Sequence, residues 1–370
     1  MVVMRCNPPS TRAFLLFMPL LMVGLSAGCN DPRFKVRTPP GIQVDVFRQA
    51  TVPQVDVLWV VDNSSSMEAE QQALARNFGE FYKYMEQLVD PDAEEEVFHI
   101  GVISTDVYDP DHQGKLLGNP NIITDATPNA AEVFAQNVDV GLLGKADEQG
   151  FYAAVLALTE PLKSTFNAGF MRDDAYLFII FVSDEDDCSF GEVGYYLKKI
   201  EQIKDIGNDG MIKAAAVVGD VPEVPDWCQT EGEKPIKPGV RYTSLAEGTG
   251  GLVMSICDDD FASHLDELGF SAAGLRRQFR LTRRAVPVSI QVWIKWRCGD
   301  AGLDQGLCEE FFNDCGGNTG SLYGKTCVLK QSLPDGWAFE EDTNSIRFYG
   351  EAVPPFRSVV EVGYTPEEEI

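Results

Sequence analysis

Four short runs in this chain are apolar almost without interruption: Val55-Asp-Val-Leu-Trp-Val-Val61, Phe98-His-Ile-Gly-Val-Ile-Ser104, Tyr176-Leu-Phe-Ile-Ile-Phe-Val182 and Met211-Ile-Lys-Ala-Ala-Ala-Val-Val218. A strand that is apolar on both faces has to be covered on both, as in a parallel sheet sandwiched between helices. The intervening stretches supply that cover. Between Met67 and Val89, residues Leu74, Phe78, Phe81, Met85 and Leu88 recur at steps of three and four. Residues 149–162, 193–206 and 258–279 also read as helices, and Gly251–Ile256 as a fifth strand, with an irregular Pro- and Glu-rich insert over 221–240. Alternating strands and helices predict an α/β fold with a doubly wound, mostly parallel sheet and helices on both faces. Ligands of such sheets bind at the carboxyl ends of the strands, which here means 62–66, 104–113 and 183–190.

The N-terminus bears on compartment. Arg5 and Arg12 precede the apolar run Ala13–Gly24, no acidic residue occurs before Asp31, and the run closes on Leu25-Ser26-Ala27-Gly28-Cys29. It is shorter than the ~20 residues that span a bilayer and reads as a cleaved signal. Its ending resembles a bacterial lipobox, which implies cleavage before Cys29 and acylation of its thiol. Residues 1–28 are then the signal peptide, 29–49 a tether, and the protein is lipid-anchored at the bacterial cell envelope, on the periplasmic or surface side.

The remaining cysteines agree with export. Cys298, Cys308, Cys315 and Cys327 have nine, six and eleven residues between them, without CxxC spacing or a nearby histidine. Two disulfides stapling a loop-rich segment fit better than zinc, in any of three pairings. Cys188, Cys228 and Cys257 allow one further bridge and leave one thiol over. Around this segment, residues 283–370 read as a small antiparallel β module: Val286–Trp296, Trp337–Phe339, Ser345–Tyr349 and Arg357–Tyr364 as strands, with Glu341-Asp-Thr-Asn344 as a turn.

Asp62-Asn63-Ser64-Ser65-Ser66 follows the first buried run and opens the first helix. A turn of this kind aims a carboxylate and hydroxyls at one point, and such hard oxygen donors suit Mg²⁺ or Ca²⁺. The same residues would also serve as a helix N-cap. In this position the segment closely resembles the metal ion-dependent adhesion site of the von Willebrand factor A family, over residues 50–282. The resemblance implies one divalent ion held by Asp62, Ser64, Ser66 and Asp184, the last matching the family's fourth-strand aspartate in Phe181-Val182-Ser183-Asp184.

The family's threonine ahead of the third helix is missing from Gly144-Lys145-Ala146-Asp147-Glu148-Gln149-Gly150. Either Asp147 or Glu148 stands in for it, directly or through water, or the site is weakened and Glu148 only favours a helix N-terminus. Asp184-Glu185-Asp186-Asp187 carries more acid than the site needs; it holds a second ion, with Asp186 as a candidate ligand, or forms a solvated loop, the reading preferred here. Asp258-Asp-Asp260 reads as helix-end charge. Asp109-Pro-Asp111-His-Gln113-Gly114 starts like an EF-hand loop, but position twelve is Pro120, so bidentate coordination is lost.

Composition and motifs narrow the function. A formal charge of -27 disfavours nucleic acid and anionic membrane surfaces as partners. His99, His112 and His264 are far apart, and no HExxH, GxSxG, phosphate-binding or dinucleotide glycine motif is present, so an enzyme is not expected. The resemblance implies a membrane-anchored binding protein whose ion takes an acidic group of a protein ligand, in adhesion or protein–protein interaction. The alternative is a periplasmic assembly or scaffolding factor with a vestigial metal site.

Overall fold

In the computed structural model the described residues are 41–49, 54–89, 96–145, 147–204, 211–228, 235–300, 302–315 and 323–367. The signal segment 1–28, the lipidation candidate Cys29 and the tether up to residue 40 lie outside them. Ile42–Ile370 forms one compact unit.

Its first layer is a six-stranded sheet. The strands are β2 (Val55–Val61), β3 (Phe98–Ser104), β4 (Ile123–Thr124), β5 (Tyr176–Ser183), β6 (Ile212–Val218) and β7 (Val253–Ser255), in the order β4-β3-β2-β5-β6-β7. Every pairing is parallel except β3 with β4, so the sheet is mixed but mostly parallel. Six α-helices occur among the described residues: α1 (Glu68–Leu88), α2 (Ala130–Asn137), α3 (Gly150–Leu158), α4 (Val193–Glu201), α5 (Val240–Gly248) and α6 (Phe261–Ala272).

Because side chains alternate along a strand, β2 feeds two cores at once. Val57, Trp59 and Val61 join Phe78 and Phe81 of α1, Phe134 of α2 and Leu265 of α6, whereas Leu58 and Val60 join Phe151 of α3, Tyr196 of α4 and Tyr242 of α5. In the first core Phe78 stacks on Phe134 with ring centroids 3.7 Å apart, and Trp59 meets Phe81 and Phe134 edge-on. The apolar runs therefore needed cover on both faces, and they have it.

The second layer is antiparallel. Strands β1 (Gln43–Arg48), β9 (Gln291–Trp296), β10 (Cys308–Asn313), β11 (Lys325–Leu329) and β14 (Val359–Tyr364) form a sheet in the order β1-β14-β9-β11-β10. Strands β8 (Gln278–Arg280), β12 (Gly336–Glu340) and β13 (Ser345–Tyr349) form another, in the order β12-β13-β8. Both contribute to a third core that includes Val292, Ile294, Trp296, Phe348 and Val362.

Three expectations need correction. Residues 43–48, assigned above to the tether, are strand β1 and pair with β14 from Gln43↔Tyr364 to Arg48↔Val359. Hydrophobicity hid this strand because its pattern is inverted: Asp45 faces inward at 5% exposure while Val44 and Val46 stand 49% and 59% exposed. The Asp45 carboxylate is satisfied by Thr282 N–H (2.7 Å), Thr282 Oγ1 (2.6 Å), Tyr364 Oη (2.9 Å) and Gln43 Nε2 (3.0 Å). Second, β8 lies before residue 282 yet pairs with β13, so the antiparallel part begins ahead of the expected boundary at 283. Third, the segment read as loop-rich contains the antiparallel pair β10–β11.

The staples are Cys298–Cys315 and Cys308–Cys327, with a third bridge Cys228–Cys257. Cys188, a disulfide candidate in the sequence, is a free, exposed thiol among the described residues. Three disulfides fit an extracellular or envelope protein folded under oxidising conditions.

Candidate metal centre

The chain runs from β2 outward to β3 and β4, then returns to the other side of β2 to lay down β5. In sheets with such a reversal, ligands bind beyond the carboxyl ends of the two strands that flank it, here β2 and β5. In register, Val61 lies beside Val182, and the Asp62 amide donates to the Val182 carbonyl at 2.9 Å. Asp62 thus sits against Ser183, with Asp184 one residue further on. Thr105 leaves β3 at the same edge, its amide bonded to the Val61 carbonyl.

The turn after Asp62 is tightly held. Ser64 N–H donates to Asp62 Oδ1 at 2.7 Å and the Ser183 hydroxyl to Asp62 Oδ2 at 2.6 Å. The Ser64 and Ser66 hydroxyl oxygens stand 3.2 Å apart. Gln71 Nε2, from the first turn of α1, donates to the carbonyls of Asp62 and Gly141, both at 3.0 Å, and Gly144 N–H donates to the Asn63 carbonyl. Helix α1 is capped at Met67 without any side-chain cap bond, so the serine hydroxyls are not consumed as an N-cap. The Asp62 side chain is fully buried. Burial raises its carboxyl to about 6 and the Asp184 charge adds to that, against the lowering effect of the bonds from Ser183 and Ser64.

Asp184 is 3% exposed, and its Oδ1 accepts no hydrogen bond from any described residue. An unpaired buried carboxylate oxygen costs free energy unless a cation or water meets it. Asp62, Ser64, Ser66 and Asp184, the donors expected from the sequence, are two carboxylates and two hydroxyls, oxygen donors of the hard kind that suits Mg²⁺ or Ca²⁺. Among the described residues no group of three or more His, Cys, Asp or Glu side chains is placed to hold a metal.

The two substitutes for the missing threonine part company. Glu148 is buried, its Oε2 accepts the Thr105 hydroxyl, and the Gln149 amide donates to the Thr105 carbonyl. Asp147 is exposed and accepts the Tyr108 hydroxyl at 2.6 Å. The Lys145 ammonium lies over the Tyr108 ring, 4.4 Å from its centroid. The wholly buried Tyr242 reports how the acids converge: burial drives its phenol far up, and the charges of Asp187, Asp62, Glu148 and Asp186 all add to the effect.

The acidic run 184–187 is not the solvated loop that was preferred on sequence. Glu185 and Asp187 are both buried. Lys237 Nζ pairs with Glu185 at 2.9 Å, and Arg241 Nε with Asp187 at 3.1 Å. Asp187 also takes Phe151 N–H at the start of α3 and the Ser189 hydroxyl, while Asp186 Oδ1 takes Arg241 N–H at 2.9 Å. Burial holds the Asp186 and Asp187 carboxyls above the usual carboxylate value even so. Repulsion within the run is relieved by two cations and helix-end amides, which sequence spacing could not foresee. Ser183, Thr105, Gln71, Lys237 and Arg241 all escaped the sequence reading. Ser183 and Thr105 left a trace, as members of the strand-end segments 183–190 and 104–113.

The remaining expectations fare simply. Asp260 caps α6 by accepting from Ser263 N–H. His112, in the former EF-hand look-alike, bonds Ser104 Oγ through Nδ1 at 2.6 Å.

No family model and no curated protein matches the chain. Among solved structures it is similar to the pilus adhesin SpaC from Lactobacillus rhamnosus GG in its open conformation. That match has a TM-score of 0.41 and 10% identity and covers 88% of this chain and 41% of the adhesin. It is also similar to proximal thread matrix protein 1 from the mussel byssus with a zinc-occupied MIDAS motif (TM-score 0.35, 11% identity, 62% and 48% covered). A third is the PilB minor pilin from Streptococcus sanguinis (TM-score 0.34, 9% identity, 62% and 63% covered). The chain thus spans about two fifths of the adhesin's length.

Proposed function

We propose that this chain is an envelope protein, lipid-anchored through Cys29, whose von Willebrand factor A-like domain binds a protein ligand through Mg²⁺ or Ca²⁺ and catalyses no reaction. Asp62, Ser64, Ser66 and Asp184 would hold the ion, with Glu148 rather than Asp147 reaching the shell through water. The observation that carries the reading is the buried Asp184 Oδ1, unmet by any described donor, at the strand end beside the one that carries Asp62 and the paired Ser64 and Ser66 hydroxyls. When bound, the ion would offer a coordination position to a carboxylate of the partner. The protein's own share is to hold that position still: Ser183 and Ser64 fix both oxygens of Asp62, and Lys237 N–H fixes the Asp184 carbonyl at 2.8 Å.

Calorimetry with Mg²⁺ and Ca²⁺ on wild type and Asp62→Ala tests this. Binding by wild type, lost in a variant that keeps its melting transition, supports it, and chelator should release the partner from envelope extracts. A wild type that binds neither ion would favour the scaffolding alternative, with partners held by surface packing.

A further inference from the structure

The acidic loop that starts at Asp184 ends on Phe190, an aromatic side chain 94% exposed to solvent. Exposure of that size is unfavourable for a phenylalanine, and single exposed apolar residues are common, so the side chain alone decides nothing. What distinguishes this one is how firmly its backbone is held. Asp187 and Ser189 accept the Phe151 and Tyr152 amides at the start of α3, Arg241 donates to the Ser189 carbonyl at 2.9 Å, and Tyr196 Oη donates to the Phe190 carbonyl at 3.1 Å. Phe190 is therefore presented, not merely left out.

It borders a mainly apolar groove between α3 and α4, lined by Gln149, Tyr152, Phe190, Glu192, Tyr195 and Tyr196. Tyr152 and Tyr195 are themselves 42% and 54% exposed. Two chain segments connect the groove to the candidate metal edge. Gln149 follows Glu148 directly, and Phe190 closes the loop that Asp184 opens. The Cys188 amide, donating to the Glu148 carbonyl at 2.6 Å, joins the two segments between these points. A second copy of this chain is disfavoured as occupant by its -27 charge.

We infer that the groove receives an apolar side chain of the same protein segment whose carboxylate reaches the metal edge, so that the ligand is an acidic residue with an aromatic or branched aliphatic neighbour. This rests on the reading of the site given above. Ligand pockets of this kind pair apolar walls with a few polar groups that set orientation, here Gln149, Glu192 and the tyrosine hydroxyls.

Selection of random linear peptides on phage against the full chain in Mg²⁺ tests it. Enriched peptides are expected to combine Asp or Glu with an apolar residue at constant spacing. The double variant Phe190→Ser/Tyr195→Ser, altering exposed residues only, should bind the best peptide at least tenfold more weakly by calorimetry and lose the apolar preference while keeping the acidic one. Asp62→Ala should do the reverse, which separates failure of the groove from failure of the metal site. No enrichment on wild type, an apolar preference that survives the double variant, or self-association abolished by Phe190→Ser would each overturn the inference. So would Tyr195-dependent binding on an oligosaccharide array.

Discussion

Ser183 donates its hydroxyl to Asp62 Oδ2 at 2.6 Å although 121 positions separate the two residues. The bond links neighbouring strand ends and orients the carboxylate that the ion would need. Partners of this kind typically change metal affinity 10–100-fold, so Ser183→Ala should weaken Mg²⁺ or Ca²⁺ binding by roughly tenfold. Ser183→Thr, which keeps the hydroxyl, should retain it. Calorimetry with a parallel melting curve checks both, and equal affinity in the alanine variant would show that Ser64 N–H alone suffices.

Gly144 packs against the metal turn. A Cβ built there would lie 2.4 Å from Asn63 Oδ1 and 2.7 Å from the Asn63 carbonyl oxygen. Gly144→Ala should therefore displace the 62–66 turn, at a cost of about 1–3 kcal/mol in urea unfolding, with weaker metal binding. Unchanged values on both counts would mean that the loop yields freely.

Lys145 occupies the loop where the resembled family offers an oxygen, but its ammonium is engaged with the Tyr108 ring at 4.4 Å and the side chain is exposed. Lys145→Thr is expected to leave metal affinity nearly unchanged. A large gain in affinity would instead assign the lysine a role as a built-in substitute for the ion.

Non-reducing peptide mapping should recover Cys298–Cys315, Cys308–Cys327 and Cys228–Cys257, with Cys188 the alkylated thiol among the described residues. Replacing Cys308 and Cys327 together with serine should cost ~2–4 kcal/mol, felt in the antiparallel layer, while metal binding persists. Loss of metal binding in that variant would tie the two layers together more closely than expected.

Asp45 should make the stability of the antiparallel layer sensitive to acid. Burial pushes its carboxyl up, but the bonds from Thr282, Gln43 and Tyr364 outweigh burial and hold it below the ordinary 3.8. The native state thus binds the proton less readily than the unfolded chain. The stabilisation is present above pH 3.8 and lost as pH falls through the lowered value. Asp45→Asn should cost about 1–3 kcal/mol at neutral pH, with the gap from wild type closing below that point. A gap independent of pH would mean that shape, not charge, holds β1 in place.

Much of the first layer was legible in the sequence. Strands β2, β3, β5 and β6 are apolar on both faces, and the three- and four-residue spacing of Leu74, Phe78, Phe81, Met85 and Leu88 marks α1 unmistakably. Helices α2 and α5 were not legible. α2 starts from Asn129 in a left-handed conformation (φ 52°), without a side-chain cap bond, and α5 begins at the end of the irregular Pro- and Glu-rich insert. At the candidate metal edge the sequence pointed to Asp62, Ser64, Ser66 and Asp184 as donors. It left Asp147 and Glu148 tied because they are neighbours of the same charge; burial and the Thr105 hydroxyl separate them.

What the sequence by itself determined is the set of local properties: which segments bury both faces, where a carboxylate and hydroxyls cluster within one turn, and that the cysteines lack the spacing of a zinc site. These follow from periodicity and side-chain chemistry, which need no knowledge of distant residues. Only the tertiary structure decided the pairing of cysteines, the inward turn of Asp45 in β1, the neutralisation of Glu185 and Asp187 by Lys237 and Arg241, and the bond from Ser183 to Asp62. Each depends on side chains that strand register and loop closure bring together from opposite parts of the chain, and a buried charge is stable only where such a partner arrives.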